Sequence, residues 1–199
     1  MERVKIIGLT GQSGAGKSTA AALFEKEGFS VINADALVKK IYETVPACLR
    51  AVAASFGGDI ILPDGSLDRR LLASRAFADS ESTALLGSLV HPFVIAEILK
   101  RLNEIKGCAV LDAPQLFESR LDAICDLVVS VTAPEEERVR RITARDGISE
   151  AQARERVSAQ LSEDFFRAHS DCTIENDGDF ASFESQLNEL IGQIKAEVM

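Results

Sequence analysis

Positive charge is scarce in this chain. Its 199 residues carry 22 Lys and Arg against 31 Asp and Glu, a net charge of −9. An acidic chain is a poor general binder of nucleic acid. A small polyanionic ligand stays open to it, provided local clusters of Arg and Lys meet the charge. Cysteine is sparse and unpatterned: Cys48, Cys108, Cys125 and Cys172 show no C-x-x-C spacing. That argues against a metal knot or a disulfide framework, and for buried free thiols in a reducing cytoplasm. There is no repeat and no low-complexity tract. No apolar run reads as long enough to span a bilayer, and the N-terminus leads into an apolar segment without a signal-peptide pattern. The expectation is a cytoplasmic protein with neither nucleic acid nor membrane as partner. With 46% hydrophobic residues, one globular domain with a sizeable core is within reach.

Against that background one stretch stands out. Gly11-Gln12-Ser13-Gly14-Ala15-Gly16-Lys17-Ser18-Thr19 fits G-x-x-x-x-G-K-[ST], the phosphate-cradling P-loop. Residues 4–9 before it are apolar and β-branched enough for a buried strand, and 20–27 after it read as a helix. The glycines let the backbone approach an anion closely, and its amides can form a nest for phosphate oxygens. The helix start adds unpaired N–H groups and a positive dipole end. Lys17 offers a mobile cation for the β- and γ-phosphates, and Ser18 a hydroxyl for Mg²⁺.

Strands are expected at 29–33, 108–111, 127–132 and 173–174, alternating with helices. This pattern implies an α/β fold with a mostly parallel sheet of about five strands, covered by helices on both faces. Helices are read at 36–42 and 46–56, and a short segment at 60–62. A helical stretch over 66–105 should break at His91-Pro92, because the residue before proline is pushed out of the helical region. Thr132 and Glu135, and again Ser149 and Gln152, resemble capping boxes, with Pro134 in a first helical turn. A polar helix should run from there to about residue 161. The last helix, 180–197, sets Phe183, Leu187, Leu190, Ile191 and Ile194 on one face. Residues 60–106 read as an inserted helical substrate lobe, and 147–168 as a closing lid within the single domain.

Several residues are placed to do chemistry. Asp35 ends the second strand on the edge where α/β sheets bind ligands. It can take or orient the proton of an attacking hydroxyl, or serve as a helix N-cap. Asp112 ends an apolar strand and can hold Mg²⁺, although many strands end in Asp. Arg138, Arg141 and Arg145 share a helix face. Arg138 reads as part of a solvated face partnered by Glu135, Glu136 and Glu137, whereas Arg141 and Arg145 read as ligand contacts. Arg69, Arg70 and Arg75 can meet a second substrate's phosphates or lie as surface charges. His91 shows no partner and is either a satisfied junction histidine or a substrate contact.

These residues together resemble the dephospho-coenzyme A kinase family over essentially the whole length. The resemblance rests on Gly8-Leu9-Thr10-Gly11 leading into Gly14–Thr19, on Val31-Ile32-Asn33-Ala34-Asp35, and on Leu62-Pro63-Asp64-Gly65-Ser66-Leu67-Asp68-Arg69-Arg70. It continues through His91-Pro92, Leu111-Asp112-Ala113-Pro114-Gln115-Leu116-Phe117-Glu118, Arg141 with Arg145-Asp146, Gln160, and Asp171 with Ile174-Glu175-Asn176. It implies a fold of the P-loop kinase type and transfer of the γ-phosphoryl of ATP, with Mg²⁺, to the ribose 3′-hydroxyl of dephospho-coenzyme A. It implies that Asp35 handles that hydroxyl, and that Lys17 and Arg141 stabilise the moving charge. The loop from Gly11 to Thr19, with Arg141, Arg145 and Asn176, would hold ATP. Lys39, Arg69, Arg70, His91, Pro114 and Leu116 would face the acceptor, and Ser18 and Asp112 the metal. The chain departs from the family pattern at Asn33, usually Asp, at Lys39, usually Arg, and near Phe166, where the basic residue is the neighbouring Arg167. Rival classes are another small-molecule kinase, a nucleotide-binding switch, or an inactive binding module. The lack of an Asn-Lys-x-Asp guanine motif weighs against the switch.

Overall fold

The run Lys5–Gly11 is buried almost without interruption, which suits a strand covered on both faces. It forms β1, the middle strand of the sheet. The computed structural model describes residues 4–198. The other strands are β2 (Ser30–Asn33), β3 (Cys108–Asp112), β4 (Leu127–Thr132) and β5 (Cys172–Glu175), in the order β2-β3-β1-β4-β5. The β1–β3, β1–β4 and β4–β5 pairs are parallel. Leu9 lies opposite Asp112 and Gly11 opposite Val131, so the carboxyl ends of these strands share one edge. The loop after β1, Asp112 at the end of β3 and Asn176 after β5 are brought to that edge by register alone.

Nine α-helices are found among the described residues: α1 (Lys17–Lys26), α2 (Ala34–Thr44), α3 (Pro46–Phe56), α4 (Arg69–Ala76), α5 (Ser80–Glu104), α6 (Glu135–Asp146), α7 (Glu150–Ser158), α8 (Glu163–His169) and α9 (Phe180–Val198). The chain divides into two compact units, residues 1–32 with 105–199, and Asn33–Glu104. In the first, Ile7, Leu9, Val110, Val129 and Val131 of the sheet pack with Phe24 of α1 and with Phe183, Leu187, Leu190, Ile191 and Ile194 of α9. The face expected for the last helix is the one it buries. Phe24 meets Phe29 edge-on at 5.3 Å. A smaller cluster of Val139, Ile142, Ala153 and Val157 joins α6 to α7. The second unit takes up most of the expected 60–106 lobe together with α2 and α3.

Four local expectations are corrected. The helix does not break at His91-Pro92: Pro92 lies inside α5. Proline there removes the N–H that would bond Ser88, but Pro92 and Ser88 are both on the exposed face, where water can take the freed carbonyl. Val90, Val94, Ile98 and Leu102 meanwhile hold one buried stripe through the proline. Secondly, α5 meets the length and composition of a membrane span, with mean hydropathy 1.6 over its most apolar window, of which 17% is buried. Its buried stripe packs on α2, α3 and α4. Thirdly, Thr132 and Glu135 form no capping box. Asn176 N–H donates to the Thr132 carbonyl at 2.8 Å, holding Thr132 in β4, and Pro134 itself is the N-cap, without a side-chain bond. Fourthly, the polar helix stops at Ser158 and α8 is separate. The Ser149–Gln152 capping box is present. The segment read at 60–62 is a 3-10 turn, Gly58–Ile60, followed by a single bridge from Ile61 to Leu67. All four cysteines are free, but only Cys48 is fully buried.

Candidate active site

The P-loop is built from behind. Its carbonyls at Ser13, Gly14 and Ala15 are each taken by a side chain of the same unit: Arg138 Nε donates to Ser13 O at 3.2 Å, Arg141 Nη1 to Gly14 O at 3.2 Å, and Asn176 Nδ2 to Ala15 O at 2.8 Å. In a trans peptide the N–H points opposite to the C=O. Holding the Ser13 and Ala15 carbonyls back therefore turns the Gly14 and Gly16 amides the other way. Ala15 N–H closes a turn on Gln12 O at 3.1 Å. The amides of Lys17 and Ser18 open α1, where a helix start leaves its first donors without a carbonyl of the preceding turn, and extend the same row; Thr19 N–H already bonds the Gly16 carbonyl at 3.0 Å. Arg141 Nη2 also bonds Asn176 Oδ1 at 3.1 Å, so the two clamps brace each other.

Gly16 has φ 111° and precedes α1. A Cβ there would overlap the Asn176 carboxamide nitrogen. Gly16→Ala should therefore displace the clamp and weaken nucleotide binding by about tenfold or more, the effect of losing a hydrogen bond of this kind. Titration with ADP reads this directly.

Lys17 reaches across to Asp112, and Nζ and Oδ1 form an ion pair. Both side chains are largely shielded, 13% and 4% exposed. Asp112 thus already faces a cation, at the end of the strand that lies beside β1. Ser18 and Thr19 are exposed on the first turn of α1. Among the described residues no group of three or more His, Cys, Asp or Glu side chains is placed to hold a metal. A metal here would rest on Ser18, Asp112 and oxygens of a ligand. Burial raises the pKa of all four thiols, that of Cys125 to about 12, so none is poised as a thiolate nucleophile.

The reading of Arg138 as a solvated charge is corrected. Only 4% of it is exposed, because Ser13 and Gln160 accept its hydrogen bonds inside the unit. The neighbouring Glu136 and Glu137 pair instead with Arg154 and Arg140. Arg145 is 60% exposed and paired with Asp146 at 2.7 Å. Leu116 is also corrected. It is fully buried and packs over Gly8, so its side chain is core and does not face an acceptor. Pro114, half-buried, gives its carbonyl to Thr10 Oγ1 at 3.2 Å.

The second unit carries the other candidates. Asn33, not Asp35, caps α2, with Oδ1 accepting from Ala36 N at 2.8 Å. The Asp35 carboxylate is exposed in the first turn of that helix. Lys39 follows at i+4, on the same face. Arg69 bonds Glu43 at 3.2 Å, and Arg70 is exposed beside it. Arg75 is committed to Asp59 and the Phe56 carbonyl. His91 is half-buried, its ring against Gly87. The function of Arg138 and Gln160 is the part that residue-by-residue reading missed. Their partners lie 125 and 147 positions away; the signals in the sequence were the helix face that Arg138 shares with Arg141 and the place of Gln160 in the family resemblance.

A five-stranded parallel sheet, a glycine loop running from its middle strand into a helix, and a lysine paired to the aspartate ending the next strand define a P-loop kinase. Residues 5–182 match the family model for dephospho-CoA kinase. A dephospho-CoA kinase of Corynebacterium efficiens is 40% identical over 96% of this chain and 98% of its own. A Thermus thermophilus crystal structure superposes with a TM-score of 0.82 at 33% identity, covering 96% of this chain and 98% of that one. The fold is shared with a dephospho-CoA kinase of Campylobacter jejuni, TM-score 0.63 at 22% identity over 97% and 98% of the two chains. The chain belongs to the dephospho-CoA kinase family.

Proposed function

We infer that this chain transfers the γ-phosphoryl group of ATP to the ribose 3′-hydroxyl of dephospho-coenzyme A, giving coenzyme A and ADP. The observation that carries the reading is the P-loop whose Ser13, Gly14 and Ala15 carbonyls are all held back, in a chain of this family. A bond forms between the acceptor oxygen and the γ-phosphorus while the bond from that phosphorus to the β–γ bridging oxygen breaks. The hydroxyl proton leaves as the new bond forms, and Asp35 is the residue we assign to receive or orient it. Lys17 exchanges Asp112 for the β- and γ-phosphate oxygens as nucleotide enters. Arg141 sustains the loop geometry from behind and adds positive charge there. Ser18 and Asp112 suit Mg²⁺: one offers an exposed hydroxyl, the other a carboxylate already facing a cation. When bound, Mg²⁺ neutralises charge on the β and γ oxygens. Lys39, Arg69, Arg70 and His91 are assigned to the acceptor, and Arg145 and Asn176 to the nucleotide side. Segment 147–168 is assigned as the lid that keeps water from ATP. Free thiols accord with a cytoplasmic setting.

The test is ATP consumption with Mg²⁺, with and without dephospho-coenzyme A, with the product weighed by mass spectrometry. A gain of one phosphate, matching coenzyme A, is the expected result. Nucleotide binding without transfer to this acceptor would overturn the substrate assignment.

A further inference from the structure

Arg138 and Gln160 are assigned no contact with substrate above, yet both bond the P-loop at Ser13. Gln160 lies between α7 and α8, and its Oε1 accepts two bonds. One comes from the Ser13 backbone N–H at 3.0 Å, the other from Arg138 Nη2 at 3.2 Å. Arg138 Nε meanwhile bonds the Ser13 carbonyl at 3.2 Å. Two successive peptide planes, before and after Ser13, are thus fixed by one ring of three residues. The next residue of the strut joins in: Gln12 Nε2 donates to the Leu161 carbonyl at 3.2 Å. Gly14, with φ 79°, follows at once, so the orientation of the Ser13–Gly14 peptide sets where the Gly14 amide points.

The charge of Arg138 supports the same conclusion. Burial pushes its pKa down, and Glu135 and Glu163 offset this only through space. Among the described residues its bonds run to carbonyl oxygens alone. A buried cation without a paired anion is costly, and the cost is relieved when a polyphosphate occupies the loop it braces.

We propose that Arg138 and Gln160 are a positioning pair for the nucleotide, which fixes the Ser13–Gly14 peptide for phosphate binding and ties nucleotide affinity to the position of the α7–α8 junction. The proposal rests on the reading of the loop as the ATP site, but its readout is nucleotide affinity, so it stands or falls apart from the identity of the acceptor.

The probe is ADP, titrated calorimetrically into the full chain and into Gln160→Ala, Arg138→Gln and the double variant. A hydrogen bond to a charged group contributes about 1.5–3 kcal/mol, so each single variant should raise the Kd for ADP by about 10- to 100-fold. The double variant should be no worse than about threefold beyond the weaker-binding single, because the pair acts as one unit. In steady state the larger part of the effect falls on KM for ATP rather than on kcat, with KM for the acceptor within about twofold. Exchange of the Ser13 amide should quicken in Gln160→Ala. Gln160 is only half-buried, so that variant keeps its fold, which a melting curve checks. An unchanged Kd in folded Gln160→Ala overturns the proposal, as does a double variant whose losses simply add. A lowered melting temperature with unaltered affinity would assign the two residues to stability alone.

Discussion

Lys17→Ala is expected to lower kcat by about 10³-fold, the upper range for removing one preorganised charge from a developing anionic centre. The lysine has two employments, and the variant ends both. With nucleotide it is assigned to the β- and γ-phosphates; without it, it neutralises Asp112, of which only 3% is exposed. Breaking a buried pair from one side costs about 3–5 kcal/mol, less whatever the remaining partners of Asp112 return. Lys17→Ala should therefore also melt earlier. Adding Asp112→Asn removes the stranded charge, and the double variant should regain melting temperature while turnover stays low. Turnover and melting measured on the three proteins separate the roles. A Lys17→Ala protein that keeps more than about a tenth of its turnover contradicts the assignment.

Asp35→Ala should cut kcat by about 10²- to 10⁴-fold, the usual span for a positioned acid–base group, with little change in melting. The second half of that expectation comes from the structure. The carboxylate is exposed, and the side-chain cap of α2 is supplied by Asn33, not by Asp35. Asp35→Asn divides the remaining alternatives. Substantial turnover in Asn but not Ala would mean that the residue orients the hydroxyl, whereas equal loss in both would mean that it must accept the proton. Near-normal turnover in Asp35→Ala would remove it from the mechanism.

What can be read from residues alone here is what is local. The span from β1 through the glycine loop to α1 is legible because strand, loop and helix each follow from their own few residues. The buried face of α9 follows from spacing, and the Ser149 capping box from two residues three apart. Pro92 defeats the local rule because its cost falls where solvent can meet it, while four aliphatic side chains on the opposite face hold α5 together. Thr132 defeats it for another reason. A strand pairing reaching from Asn176 claims the residue first. Arg138 is the furthest from legible. Three glutamates precede it, yet what decides its place is a carbonyl 125 residues upstream, and no pattern along one helix reports that. The same holds for Gln160, whose two bonds both leave its own segment.

The unit Asn33–Glu104 is one unbroken stretch of chain. It leaves the sheet at the end of β2 and returns just before β3. All the loop-bracing side chains, Arg138, Arg141, Gln160 and Asn176, lie outside it. In the terms of protein engineering it is a cassette with two splice points, one at each end. Replacing it by the corresponding segment of a relative leaves the bonds from Arg138, Arg141, Gln160 and Asn176 to the glycine loop encoded in the host sequence, so a chimera of this kind asks which part of the chain chooses the acceptor without rewriting those bonds.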